Sequence, residues 1–159
     1  MGECFNGDPA YVGPYQGSLT GLFNYPMYFT IKDVFGNGNS CYDIRNRFNE
    51  EKSHFQDITA LGVFVDNHDN ARFLHNFQFA NKKWENAWLF SVFAQGIPFT
   101  YYGSEQGFGG GNDPQNRETL WTTGYDRTNE FYKFIKAANM ARSSSKAYEQ
   151  GHVERYVSD

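Results

Sequence analysis

The run Leu61-Gly62-Val63-Phe64-Val65 has no polar break, and it stops abruptly at Asp66-Asn67-His68-Asp69-Asn70. A strand with one wet face alternates apolar and polar residues. An unbroken apolar run of this length is the mark of a strand covered on both faces, as in a parallel sheet flanked by helices. Its neighbours fit that arrangement. Ile44, Phe48 and Phe55 recur at roughly helical spacing among charged residues, which predicts an amphipathic helix over 41–55. Ser40 is placed to cap it, just after the turn Asn37-Gly38-Asn39. Between Lys83 and Gln95 the residues Trp84, Ala87, Trp88, Ser91 and Val92 form one stripe. Leu89, Phe90 and Phe93 widen it almost all round, so this helix is expected to be deeply buried. Gly96 to Tyr102 predicts a second buried strand, Phe131 to Ala141 a last helix, and Gly151 to Asp159 the start of another strand. Leu22 to Phe29 reads as an extended aromatic stretch in which Pro26 leaves one ladder bond unmade.

Strand, helix, strand, helix in this order calls for an α/β fold with a parallel sheet, either open or closed into a barrel. In both architectures the site lies at the carboxyl ends of the strands. The polar clusters that follow the apolar runs are therefore expected to converge.

Composition narrows what such a site serves. Phe 16, Tyr 11 and Trp 3 make up 19% of the 159 residues, against 18 residues of Ile, Leu and Val together, so aromatic rings must supply most of the core and leave some over for a ligand. A formal charge of −4 offers no basic stripe for phosphates and disfavours a nucleic-acid or anionic-membrane partner. No apolar run approaches the ~18 residues that would span a bilayer, and the first residues carry no secretion signal. Cys4 and Cys41 are equally consistent with one bridge or two free thiols.

The ionisable groups concentrate in Gly2-Glu3, His68-Asp69, and Asp113 with Arg117. Two carboxyl groups facing one cavity push one pKa up and leave the other ionised. That pairing suits general acid catalysis on an acetal oxygen, with a carboxylate steadying an oxocarbenium-like centre. On spacing alone, Glu3 also reads as a frayed terminal residue and His68-Asp69 as a solvated strand end. A rival is a metal-dependent hydrolase using His68, Asp69 and His75, although no HExxH or paired CxxC spacing occurs. Gly109-Gly110-Gly111 lacks the Lys-Ser or Lys-Thr of a phosphate loop, and Gly103-Ser104-Glu105 is not a nucleophile elbow.

Taken together and in order, these clusters resemble the alpha-amylase family of glycoside hydrolases, especially its fungal and protist type. Gly2-Glu3 with Phe5-Asn6-Gly7-Asp8-Pro9-Ala10-Tyr11 is similar to the motif after the fifth barrel strand. Phe64 to Asn70 is similar to the motif after the seventh strand, and Gly96-Ile97-Pro98 through Gln106 to the eighth. Gly110 to Glu118 is similar to a substrate-binding loop of the same group. The resemblance implies a partial (β/α)8 TIM barrel, from the end of strand 5 through helix 8 and truncated at both ends. Residues 1–148 would belong to the barrel and 149–159 would begin a β-rich C-terminal segment. A whole barrel of this type takes about 200 to 400 residues.

The same resemblance implies retaining endohydrolysis of α-1,4-glucosidic bonds in starch- or glycogen-type glucans. Glu3 would be the acid/base and Asp69 the carboxylate that steadies the transition state. His68 would bond sugar hydroxyls, while Asp113 and Arg117 would hold a glucose unit toward the non-reducing end. It also implies an extracellular, monomeric enzyme, an α-glucan or maltooligosaccharide partner, and a structural calcium whose family ligands lie outside this chain. No metal is expected here. The family's Asp nucleophile sits in a G-x-R-x-D motif, and no such motif occurs in the 159 residues. The isolated chain is therefore expected to be inactive. The alternatives are a non-catalytic α-glucan-binding homologue, or an α-glucosidase or transglycosylase of the same family.

Overall fold

The computed structural model describes residues 1–145; the strand expected over 151–159 and the segment 149–159 lie outside them. Three short strands, β1 (Leu22–Phe23), β2 (Leu61–Val63) and β3 (Ile97–Pro98), form a parallel sheet in that order. The register pairs Leu22 with Leu61 and Gly62 with Ile97. Gly2 adds a single parallel bridge to Leu22, with its N–H donating to Gly21 O at 2.8 Å and Phe23 N–H donating to Gly2 O at 2.9 Å. The chain start thus occupies the place of a fourth stave beside β1.

The helices are α1 (Pro9–Val12), α2 (Tyr25–Ile31), α3 (Tyr42–His54), α4 (Phe73–Asn76), α5 (Asn81–Phe93) and α6 (Glu130–Ser145). The expected helix over 41–55 is α3, with Ile44 and Phe48 buried, and Ser40 Oγ accepting Tyr42 N–H at 3.2 Å at its start. Among the described residues no helix is long and apolar enough to cross a membrane. Both cysteines are free thiols.

The two faces of the sheet divide the core. Val63 and Val65 join Met27, Ile31, Phe48, Trp84, Trp88 and Val92 beneath the helices. Phe64, pointing the other way, packs with Tyr25 and Tyr28 and is flanked by Phe23 and Phe29. That alternation is the period of two of a strand, and it sends the aliphatic side chains to the helix layer and the rings to the inner side. Tyr28 stacks on Phe64 at 5.0 Å and Tyr25 meets it edge-on at 5.2 Å.

Three expectations are corrected. The extended stretch Leu22–Phe29 ends at Phe23, because Asn24 caps a helix: its Oδ1 accepts Met27 N–H at 2.9 Å. Pro26 sits in the first turn of that helix, where its missing N–H has no partner to lose. The strand expected over Gly96–Tyr102 shrinks to β3 and is half open, with Ile97 44% exposed, because β3 pairs only with β2 among the described residues. Helix α5 buries the expected stripe of Trp84, Ala87, Trp88, Ser91 and Val92, yet Leu89 is exposed, so the helix is not covered all round.

The turn from α5 into β3 depends on Gly96, at φ 121°; a Cβ there would lie 2.6 Å from Leu61 O. Trp84, 1% exposed and in ring contact with Phe131 at 5.1 Å, is the largest fully buried side chain. Trp84→Ala is expected to lower stability by about 3–5 kcal/mol. Asn24→Ala should cost about 1 kcal/mol through the lost cap, with Asn24→Asp nearly neutral. Urea denaturation of the three variants checks the ranking.

Candidate active site

Glu3 follows directly on the bridged Gly2, His68 and Asp69 follow β2, and Asp113 and Arg117 lie in the loop beyond β3. A cleft of about 170 Å³ opens at these strand ends, with Glu3, Tyr25, Asp66, Asn67, His68 and Tyr101 in its wall. The expected convergence is present. Asp69, Asp113 and Arg117 form a chain of ion pairs next to that wall: Arg117 Nε reaches Asp113 Oδ1 at 2.9 Å, and its Nη2 lies 3.8 Å from Asp69 Oδ1. His68 Nε2 is 3.3 Å from the same Asp69 oxygen. These side chains are about half exposed, so their pairing orients more than it stabilises.

Tyr25 ties Glu3 to the loop that carries His68 and Asp69. Its hydroxyl donates to Glu3 Oε1 at 2.6 Å and accepts from Asn67 Nδ2 at 2.8 Å. Burial, then the hydrogen bond to Glu3, then the nearby charges of Glu3 and Asp69 hold this phenol well above the usual tyrosine range. Asn67 Oδ1 accepts from Asp69 N at 3.2 Å and Asn70 N at 3.0 Å, which shapes the loop that carries His68 and Asp69. Sequence spacing singled out neither Tyr25 nor Asn67. Asn67 stood inside the strand-end cluster, whereas Tyr25 sat in a stretch read as strand.

Below the cleft Asp66 is buried and accepts Phe73 N–H at 2.7 Å; burial holds its carboxyl above the ordinary range, partly opposed by that bond and by Arg72 and Lys32. Lys32 donates to Tyr28 Oη and to Ala71 O, and burial pulls its amine down to about 8. Arg72 is fully buried. Its Nε donates to Glu118 Oε2 at 2.7 Å and its Nη2 to Tyr102 O at 2.9 Å, while its guanidinium faces the rings of Tyr101, Tyr102 and Phe108. Glu118 Oε1 accepts Gly110 N–H at 2.6 Å, and Arg72 N–H donates to Gly110 O at 3.0 Å. A Cβ on Gly110 would fall 1.9 Å from Gln115 O, so this close approach needs glycine. Asn116 completes the tie by donating to His68 O at 2.7 Å and Asn70 O at 2.9 Å.

His75 packs near Gly111 in the glycine-rich loop. Among the described residues no three His, Cys, Asp or Glu side chains come together in a way that could hold a metal ion. His68, Asp69 and His75, the ligands of the metal-hydrolase rival, thus form no such group.

The family profile described as the alpha-amylase catalytic domain matches residues 1–149. Alpha-amylase 2 of Schwanniomyces occidentalis is 39% identical over 160 residues, covering 100% of this chain and 31% of that protein. Alpha-amylase 1 of Lipomyces kononenkoae is 43% identical over 144 residues, covering 90% of this chain and 23% of that one. The solved alpha-amylase from Malbranchea cinnamomea superposes with a TM-score of 0.90 at 34% identity, over 99% of this chain and 34% of its own. The chain thus spans about a third or less of the length of these relatives, and its three strands are neighbouring staves of a TIM barrel.

The buried arginine makes a clear stability prediction. Arg72→Ala would leave Glu118 without its cation and is expected to lower stability by about 3–5 kcal/mol. Glu118→Gln, whose single side-chain oxygen cannot accept from both Gly110 N–H and Arg72 Nε and which leaves the buried cation without a counterion, should be destabilising as well. Limited proteolysis is expected to cut first within 107–118 in Arg72→Ala.

Proposed function

The chain belongs to the alpha-amylase family of glycoside hydrolases, and on that premise we propose that it supplies the acid/base and the transition-state carboxylate of a retaining α-1,4-glucan endohydrolase. The observation that carries the reading is the hydrogen-bond chain from Glu3 through Tyr25 to Asn67, which ties Glu3 to the loop bearing His68 and Asp69. Glu3 lines a cleft of sugar size and Asp69 pairs with His68 in the wall of that cleft, a placement that supports the two carboxyl roles of acetal cleavage.

Glu3 protonates the glycosidic oxygen as the C1–O bond breaks, and later takes a proton from the attacking water. Asp69 offers negative charge to the oxocarbenium-like carbon, oriented by His68 and Arg117. His68 bonds sugar hydroxyls on the cleft wall, while Asp113 and Arg117 hold a glucose unit toward the non-reducing end. Rings such as Phe23, Phe99 and Tyr101 present apolar planes against which sugar faces pack. The attacking nucleophile comes from outside these 159 residues, since they contain no G-x-R-x-D segment. An extracellular, monomeric enzyme acting on starch or glycogen accompanies this reading.

In the enzyme with its barrel complete, Glu3→Gln and Asp69→Asn are each expected to reduce kcat on soluble starch by roughly 10²–10⁴-fold. The 159-residue chain alone should release no reducing sugar, and turnover by it that Glu3→Gln abolishes would overturn that expectation. The missing nucleophile motif favours one second reading, a non-catalytic α-glucan-binding homologue. Binding of maltooligosaccharides without hydrolysis by the complete protein would decide for it.

A further inference from the structure

Asn67 fixes the direction of a hydrogen-bond chain. Its Oδ1 faces the backbone N–H groups of Asp69 and Asn70, so the other end of the amide, Nδ2, must point to Tyr25. An amide nitrogen only donates, hence the Tyr25 oxygen accepts there. A phenol has one proton, and the remaining partner for it is Glu3 Oε1 at 2.6 Å. The chain therefore runs Asn67 to Tyr25 to Glu3, and it cannot run the other way.

We propose that Tyr25 is a positioning residue that dictates which oxygen of Glu3 carries the acid proton: its hydroxyl occupies Oε1, which leaves Oε2 to carry the proton to the glycosidic bond. This rests on the reading of Glu3 as general acid. In the step itself the proton leaves Oε2 for the glycosidic oxygen, the C1–O electron pair goes to that oxygen, and the new charge on Glu3 is met by the Tyr25 hydroxyl already in place. Among the described residues Tyr25 is the one side chain that hydrogen-bonds Glu3. The other titratable groups around them are Tyr28 on α2, Asp66, His68 and Asp69 after β2, and Tyr101 after β3. The phenol stays protonated across the working pH range, because burial and both carboxylates oppose its ionisation.

The test is the pH profile of the enzyme with its barrel complete. Tyr25→Phe keeps the ring contacts with Phe5 and Phe64. Losing the donor that meets the charge left on Glu3 should move the alkaline limb of kcat upward while the acid limb stays. On starch kcat should fall about 10- to 100-fold with little change in KM. The fall should shrink on a maltooligosaccharide with an acidic nitrophenol leaving group, which needs no proton. Equal losses on both substrates with an unmoved alkaline limb would overturn the proposal. Should Tyr25→Phe not fold, 3-fluorotyrosine at position 25 decides: the more acidic phenol donates more strongly and should move the limb down, and an unmoved limb overturns the proposal. Glu3→Gln separates the two levels. Full activity on starch in that variant removes the acid reading itself, whereas loss there beside an unmoved limb in the Tyr25 variants removes only the positioning role.

Discussion

A buried guanidinium holds the strand ends and the glycine-rich loop together. Arg72 stands just before α4, past the polar cluster that follows β2, and its side chain reaches Glu118 and the carbonyl of Tyr102, so one residue ties the segment after β2 to the exit of β3 and to the glycine-rich loop. Taking a cation out of water is repaid only when its partners are well placed. Here the carboxylate is 2.7 Å away and the ring faces of Tyr101, Tyr102 and Phe108 cover the rest of the guanidinium. Because Glu118 also accepts from Gly110, the loop carrying Asp113 and Arg117 is fixed to the same point. Without it, the exposed ion pairs around Asp69 would have no rigid frame to define their geometry.

The aromatic-heavy composition follows from the layering. The helix-facing side of the sheet takes Val63 and Val65 together with the tryptophans of α5, whereas the inner side carries Phe23, Phe64, Tyr25 and Tyr28. An inner layer of rings is compact, holds its shape with few rotatable bonds, and lets two of its members end in hydroxyls. Those hydroxyls then serve the site: Tyr25 reaches Glu3, and Tyr28 accepts from the buried Lys32. A layer of leucines would fill the same volume and provide neither.

Much of the plan was legible from patterning. The unbroken run at Leu61, the stripe of α5 and the heptad-like spacing of α3 report burial directly, and burial is what periodicity encodes. The placement of Glu3, His68, Asp69, Asp113 and Arg117 at one end of the sheet followed from the rule for strand termini. What escaped depended on single atoms. Asn24 turns an aromatic stretch from strand into helix with one side-chain bond, and the aromatic, proline-broken composition of that stretch fits either state. Arg72 and Glu118 are 46 residues apart, so their pairing has no local signature. Tyr25 lay hidden for the same reason, since its partners are at positions 3 and 67.

The bridge at Gly2 sets the accuracy of the whole arrangement. Only two backbone bonds lock Gly2 against β1, and Glu3 is the very next residue. Side chains on an extended chain alternate sides, so slippage by a single notch would turn this carboxylate from the cleft toward the helical shell. The crowding of Gly2 against Leu19 and Leu22 leaves little room for a bulkier neighbour that could reseat the pairing. The aim of Glu3 into the cleft is thus inherited from peptide groups outside the cleft wall.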